Sequence, residues 1–482
     1  MDKIYIKKLD EVFNKIICDP HVSYELKDYF KFAVPGAKFM PSYRNKFWDG
    51  YIYLYNPLTC TLYGGLNRYV EEFCRNREYE FQLDPELASD EFSLKEAKEF
   101  VEALKPTMMP RDYQLNAFVH AVRERRALLL SPTASGKSFI IYLLMRYYNA
   151  RTLIIVPTTS LVSQLASDFA DYGFESDRFV HRIYAGQDKQ SNKQVTISTW
   201  QSIYKMPKSY FEQFDVVIGD EAHLFKAKSL TSILSMLDTC RYRFGFTGTL
   251  DGTQTHKLVL EGLFGSVKRV TTTSELIDQK HLADFKIKAI VLSYDEEVRK
   301  LIIKMDYQDE IDYIVRLDSR NKFIKNLALS LEGNTLLLFQ FVEKHGKVLH
   351  EMISKEAKER KVFFVSGAVG GDEREEIRKI VETEPNAIIV ASFGTFSTGV
   401  NIKNLHNVIF ASPSKSRIRN LQSIGRGLRK SETKTESTLY DIADDMSWKS
   451  KKNYTILHFM ERIKTYNEEK FDYKIYTVSM TI

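Results

Sequence analysis

Cysteine is scarce in this chain of 482 residues: Cys18, Cys60, Cys74 and Cys240 are all it has, and they are scattered without metal-ligand spacing. That argues against a disulfide framework or a cysteine zinc site, and for free thiols in a reducing compartment. No apolar run approaches the roughly 20 residues that a membrane helix needs. The first residues, Met1-Asp-Lys-Ile-Tyr-Ile, lack the pattern of a signal peptide. A soluble protein of the cytoplasm, with no membrane partner, is the expectation. Low-complexity segments and coiled-coil heptads are missing, and no nuclease-like cluster of Asp, Glu and Lys stands out. An excess of one charge is nearly missing too, since 69 Lys and Arg against 63 Asp and Glu leave +6. Such a balance is compatible with a nucleic-acid partner but does not demonstrate one. Aromatics, by contrast, are plentiful, with 27 Tyr and 31 Phe. They suit core packing and base stacking equally. The length suits about three domains.

The most informative stretch is Ser131-Pro-Thr-Ala-Ser-Gly-Lys-Ser138. It follows the apolar run Ala127–Leu130 and opens a helix-like segment, Phe139–Met145. Strand, small-residue loop and helix are the setting of a phosphate-binding loop. Backbone N–H groups of Thr133, Ala134, Ser135 and Gly136 can converge on phosphates, aided by the helix start. Lys137 would neutralise β/γ-phosphate charge, and the Ser138 hydroxyl would ligate Mg²⁺, which makes ATP and Mg²⁺ the expected cofactors. Ser131 stands where the motif expects Gly, a small residue that still permits the turn. A second buried strand, Phe214–Gly219, ends in Asp220-Glu-Ala-His223. Asp220 is placed to hold Mg²⁺ through water, and Glu221 to polarise the hydrolytic water. His223 could couple the site to neighbouring motifs.

In this order the motifs resemble those of the superfamily 2 helicases and translocases, over about residues 105–445. Pro110-Arg-Asp-Tyr-Gln114 resembles the adenine-reading Q motif, which implies base contact by Gln114 with Arg111 beside it. Val156-Pro-Thr-Thr-Ser160 and Ser198-Thr-Trp-Gln201 resemble motifs Ia and Ib, and Phe246-Thr-Gly-Thr249 resembles motif III. Leu338-Phe-Gln-Phe341, Thr395-Phe-Ser-Thr-Gly-Val-Asn401 and Gln422-Ser-Ile-Gly-Arg-Gly-Leu-Arg429 resemble motifs IV, V and VI. The resemblance implies phosphate-backbone contacts by Pro157, Thr158, Thr159, Thr199, Trp200, Gln340, Phe341 and Thr395. It also implies nucleotide contacts by Gly399 and Asn401, and catalytic roles for Gln422, Arg426 and Arg429. Arg429 would be the arginine finger and Arg426 a γ-phosphate sensor. Asn401 stands where the family often has an Asp that meets the ribose.

Residues 1–104 precede these motifs and read as a small α+β nucleic-acid-binding module. Tyr29–Ala33, Tyr51–Tyr55 and Thr61–Tyr63 read as its strands, and Leu66–Arg75 and Leu94–Leu104 as helices. Pro41-Ser-Tyr-Arg-Asn-Lys-Phe-Trp-Asp-Gly50 interleaves Arg44 and Lys46 with aromatics including Trp48. That mixture suits phosphate contact and stacking, although the aromatics could equally be core. Residues 105–280 and 281–445 each alternate strand with helix, as two tandem RecA-like lobes with parallel sheets would. Glu296–Leu331 reads as a long charged helical stretch, and 446–482 as a helical or extended tail. Phe39-Met-Pro-Ser-Tyr-Arg44, Trp48-Asp-Gly50 and Asp441-Ile-Ala-Asp-Asp445 make the layout similar to the UvsW-type bacteriophage helicases. That similarity implies a monomeric motor on branched DNA (forks, Holliday junctions, R-loops), with strand annealing beside unwinding. Its partners would be single- and double-stranded DNA and RNA–DNA hybrids, met in the host cytoplasm. An RNA helicase, a restriction-type translocase and a non-hydrolysing scaffold are the alternatives.

Overall fold

The computed structural model describes residues 2–34, 36–184, 186–250, 254–367, 369, 371–395, 402, 404–412, 416, 424–425 and 436–480. Its contacts divide the chain into two compact units: Met1–Ser131 with Gly136–Thr271, and Pro132–Ser135 with Thr272–Ile482.

The first unit opens with a four-stranded mixed sheet. Its strands are β1 (Lys3–Lys8), β2 (Phe13–Ile17), β5 (Thr61–Tyr63) and β6 (Glu80–Leu83), in the order β5-β2-β1-β6. A separate antiparallel ribbon pairs β3 (Lys31–Ala33) with β4 (Tyr51–Tyr53). Of these six, β1, β2 and β6 escape the sequence reading, because they are short and mix polar or charged residues with few apolar ones. Tyr29 ends a helix, Pro20–Tyr29, so β3 starts later than its aromatic pattern suggests. Ile4, Ile6, Ile16, Leu62, Val70 and Phe73 form the core of this region, and Leu258 of the following domain joins it. Tyr69 Oη donates to Glu261 Oε2 at 2.6 Å, and an Arg126 N–H donates to the Glu11 carbonyl at 3.0 Å. Gly65 lies so close to the Glu261 carbonyl that an added Cβ would fall 1.8 Å from it. The amino-terminal sheet is thus built into the first unit through hydrogen bonds and core contacts.

The main sheet of this unit is entirely parallel. It contains β7 (Arg126–Leu130), β8 (Thr152–Val156), β9 (Val180–Ile183), β10 (Val195–Thr199), β11 (Val216–Asp220), β12 (Tyr242–Thr247) and β13 (Val267–Arg269). Their order is β13-β7-β12-β11-β8-β10-β9. Strands β7, β8 and β11 are nearly unbroken apolar runs because helices cover both faces. One face buries Leu129, Ile154, Ile197 and Ile218, the other Leu128, Leu153, Ile155 and Val217. In such a sheet, ligands gather at the carboxyl ends of the strands. β7 and β11 deliver the phosphate-loop region and Asp220 to that edge.

The second unit repeats this plan. It contains β14 (Asp284–Ser293), β15 (Thr335–Phe339), β16 (Val362–Val365), β17 (Ile388–Ser392), β18 (Asn407–Phe410), β19 (Glu436–Asp445) and β20 (Asp472–Ser479). All pair in parallel, in the order β16-β17-β15-β18-β19-β14-β20. The fold is therefore two RecA-like lobes preceded by a small α+β region.

Two stretches read coarsely from sequence gain detail here. The charged stretch 296–331 is three helices, Glu296–Ile302, Tyr307–Arg316 and Asp318–Ser330. Asp306 caps the second by accepting from Asp309 N at 2.9 Å, and the extended Leu317 separates the second from the third. Charge periodicity could not reveal these interruptions. Residues after 445, read as a helical or extended tail, form a helix and a strand. Helix Tyr454–Glu468 packs on β19, and β20 pairs with β14 along its length. Buried ion pairs fasten them: Arg462 donates to Asp441 at 2.8–3.1 Å, and Tyr466 Oη donates to Asp441 Oδ2 at 2.7 Å. Asp444 receives Arg320 and Tyr294 in the same way. Leaving one of these charges unpaired would cost about 3–5 kcal/mol.

Candidate functional site

β7 ends at Leu130, and Ser131 N donates to the Thr247 carbonyl of β12 at 2.8 Å. Ser131 itself is fully buried, so a small side chain fits where the motif prefers Gly. The loop then tightens on itself: Ser135 donates through both Oγ and N to the Pro132 carbonyl, at 2.6 and 3.2 Å. Ala134 takes a left-handed φ of 67°, and Gly136, at φ 77°, precedes the helix Lys137–Tyr148. Gly136 is required twice over, because a Cβ there would also lie 2.4 Å from Gln114 Nε2.

Lys137 reaches across to the end of β11. Its Nζ lies 3.3 Å from Asp220 Oδ1 and 3.1 Å from Glu221 Oε1. Burial alone would lower the lysine pKa, but the two carboxylates outweigh it and raise the pKa above the ordinary value. Burial raises the Asp220 pKa; Lys137 opposes that and the adjoining Glu221 adds to it. Two carboxylates thus share one ammonium. Glu221 adopts a left-handed backbone, φ 52° and ψ 51°, a conformation that costs of order 1–3 kcal/mol and clusters at functional sites.

His223 links this strand end to motif III. Its Nδ1 lies 2.9 Å from Thr247 Oγ1 and 3.4 Å from Glu221 Oε2. Thr247 Oγ1 donates to the Thr249 carbonyl at 2.9 Å, so it accepts the proton that His223 carries on Nδ1. The coupling expected of His223 therefore has a hydrogen-bonded path.

Gln114 is buried. Its Oε1 accepts from Arg111 N at 2.9 Å, and its Nε2 donates to the Gly136 carbonyl at 3.3 Å. It ties the start of its own helix, Asp112–Glu124, to the phosphate loop. Arg111 places its guanidinium on Tyr113 Oη at 2.8 Å. Ser138 Oγ lies 2.7 Å from Tyr172 Oη, a contact no motif announces. Tyr172 closes the motif Ia helix, Thr159–Asp171, and rests edge-on against Phe139 at 4.8 Å. Its carbonyl accepts from Thr107 N at 3.4 Å, just before the Q motif. Burial raises its phenol pKa to about 12, so the group stays a neutral O–H. Its only sequence signal is one tyrosine among 27.

The expected nucleic-acid residues are spread along the chain. Pro157 and Thr158 are half-buried and Thr159 is exposed at the carboxyl edge of β8. Thr158 Oγ1 caps its helix, accepting from Leu161 N at 3.4 Å. Thr199 Oγ1 lies 2.8 Å from Ser202 Oγ, and Trp200 packs on the core and edge-on to Tyr204. In the second unit, Gln340 N donates to Ser412 Oγ at 3.1 Å, and the Lys344 ammonium sits 4.3 Å over the Phe341 ring. Thr395 is buried, its hydroxyl 2.7 Å from Ser392 Oγ. Gly399, Asn401, Gln422, Arg426 and Arg429 lie outside the described residues. Arg44 and Lys46 are exposed, while Trp48 is half-buried with its Nε1 donating to the Tyr51 carbonyl at 2.8 Å. Phe47 beside them is 86% exposed, so this aromatic is not core.

Comparison with known proteins covers nearly the whole chain. Residues 3–84 match the family described as DNA helicase UvsW, N-terminal. Residues 107–252 match Type III restriction enzyme, res subunit, and 318–431 match Helicase conserved C-terminal domain. Over 495 aligned residues the chain is 37% identical to the ATP-dependent DNA helicase uvsW of Enterobacteria phage T4, covering 97% of both proteins. It is 25% identical over 372 residues to the DNA 3'-5' translocase XPB2 of Sulfurisphaera tokodaii, covering 70% of this chain and 82% of that relative. The crystal structure of T4 UvsW covers 99% of each chain, with 36% identity and a TM-score of 0.53.

Proposed function

Because this chain belongs to the UvsW family of superfamily 2 DNA helicases, we propose that it uses ATP hydrolysis to remodel branched DNA. Its substrates would be forks, Holliday junctions and R-loops, and it would anneal strands as well as unwind them. The observation that carries the catalytic part is the shared ammonium of Lys137 between Asp220 and Glu221. Triphosphate entering the loop competes for Lys137. Its γ-phosphate takes over the lysine charge, and Glu221, released from Lys137, accepts a proton from the attacking water. Glu221 is thus held in reserve until nucleotide is present, and His223 connects that change to Thr247 of motif III.

Magnesium fits the residues at hand. Ser138 offers a hydroxyl and Asp220 a carboxylate, both oxygen donors of the kind a hard divalent cation takes alongside phosphate oxygens. Asp220 and Glu221 adjoin at the strand end, Glu221 N donating to Asp220 Oδ1 at 2.9 Å, and such an ion would offset carboxylate charge there. When bound, Mg²⁺ would neutralise charge on the β- and γ-phosphates. Arg426 and Arg429 of motif VI would add positive charge in the transition state, and Gly399 and Asn401 would meet the nucleotide. Thr158, Thr159, Thr199, Gln340 and Thr395 would hold the backbone of one strand, contacts that carry no sequence information. The protein would act as a monomer in the cytoplasm of the infected host cell. Among the described residues no helix is long and apolar enough to cross a membrane.

The test compares ATPase rates with single-stranded DNA, single-stranded RNA and four-way-junction DNA, and follows strand displacement on a fork. Strong stimulation by DNA and ATP-dependent opening of the fork are expected. Stimulation by RNA alone, or hydrolysis without fork opening, would overturn the reading.

A further inference from the structure

The ribbon β3–β4 carries at its end a connection whose apolar side chains face outward. Phe47 is 86% exposed and Phe39 66%. Single exposed apolar residues are ordinary, but aromatic surface rimmed by charge marks an interaction site. Here the rim is basic. Lys38, Arg44 and Lys46 line an open cavity of about 590 Å³ together with Tyr43, Phe47, Trp48 and Asp49. Asp49, the acid among these, is already engaged: it accepts from Tyr53 Oη at 2.6 Å and from Tyr51 N at 3.1 Å.

The aromatics divide the labour. Trp48 spends its indole N–H on the Tyr51 carbonyl at 2.8 Å and so braces the start of β4. Tyr43 lies over Gly50, where an added Cβ would sit 3.0 Å from the ring and where φ is 83°. These two rings build the platform and explain why Trp48-Asp-Gly50 reads as a unit. Phe47 lines the same cavity. Lys46 turns the chain just before it with a left-handed φ of 57°, and Phe47 N is fastened to the Ser42 carbonyl at 2.9 Å. A fixed backbone bearing an outward ring, with cations lining the same cavity, is complementary to a nucleobase flanked by phosphates.

We propose that Phe47 stacks on an unpaired base of DNA, with Lys38, Arg44 and Lys46 receiving the adjoining phosphates. The inference rests on the helicase reading above and gives it a substrate feature. Bases inside a duplex are already stacked on one another, so a free ring can compete only for a base at a branch or on a single strand. Stacking of this kind is sequence-tolerant, because every base has a π-face. Trp48, the more obvious stacking residue in the sequence, is assigned the supporting role.

The experiment uses the full chain without nucleotide and a fork carrying 2-aminopurine in its unpaired arm next to the junction. Wild type should quench the probe on binding. Phe47→Ala should weaken fork binding roughly tenfold and lose the quench. Affinity for blunt duplex and DNA-free ATPase should stay within about twofold, since the ring is outside the core. Phe47→Trp should keep both fork affinity and quench. If Phe47→Ala binds and quenches like wild type, or weakens duplex and fork equally, the assignment is wrong while the helicase reading stands. If wild-type ATPase does not respond to DNA at all, both fall.

Discussion

Replacing Glu221 by Gln separates the chemical role of the site from its binding role. The change removes one charge and keeps the shape. Gln tolerates the left-handed backbone at φ 52° no worse than Glu does, so folding should be unaffected. Its amide oxygen can still accept from Lys137, now 3.1 Å from Glu221 Oε1. Asp220 loses a like-charged neighbour. Burial still raises its pKa, but the contribution from Glu221 disappears, so it ionises more readily and becomes the sole acid paired with Lys137. A γ-phosphate entering this pocket meets less negative charge. Nucleotide affinity should therefore stay the same or rise.

Hydrolysis should fall sharply, since an amide cannot take the proton from water. A positioned general base contributes about 10²–10⁴-fold, equivalent to roughly 3–5 kcal/mol at about 1.4 kcal/mol per decade. Nucleotide affinity and single-turnover hydrolysis should be measured on the same preparation, with the lifetime of the ATP-bound complex on DNA as a third readout. The expected pattern is intact binding, a single-turnover rate reduced at least a hundredfold, and longer residence on DNA. A single-turnover rate within about threefold of wild type would refute the assignment of Glu221 as the base.

Lys137→Ala should abolish ATP hydrolysis while leaving nucleotide-free DNA affinity within about threefold, as steady-state ATPase and fluorescence anisotropy would measure; near-normal turnover would remove the phosphate-loop assignment. Tyr172→Phe deletes the hydroxyl 2.7 Å from Ser138 Oγ. If that hydroxyl orients Ser138 toward Mg²⁺, the variant should need several-fold more Mg²⁺ to bind a fluorescent ATP analogue, with Mg²⁺-free nucleotide binding unchanged. Arg429→Ala should lower kcat by about 10³-fold or more with little change in nucleotide affinity, because a finger acts mainly in the transition state. Equal, small effects on both would mean a solvated arginine.

The parallel lobes were legible because their strands announce themselves. Thr152–Val156, Val216–Asp220 and Thr335–Phe339 are apolar throughout or nearly so, since helices cover both faces, and the motifs sit at their ends. The amino-terminal sheet hid its strands for the converse reason. Lys3–Lys8 buries only Ile4 and Ile6 and spends its other positions on charge, so nothing in its composition sets it apart from a surface loop. Tyr172 stayed hidden because its partner, Ser138, is brought near only by the packing of two helices.

Trp48 shows a different limit. Read from sequence, a tryptophan among basic residues looks like the ring that meets a base. An indole, however, also carries an N–H that seeks a partner when half-buried. In this chain the Tyr51 carbonyl satisfies it, which turns the ring into a brace. Phenylalanine has no such obligation and gains nothing by remaining in water. Phe47 is nevertheless held outward by a fastened backbone and a left-handed turn at Lys46. Residue type suggests which side chains are able to stack, but the hydrogen bonds determine which of them is left available to do so.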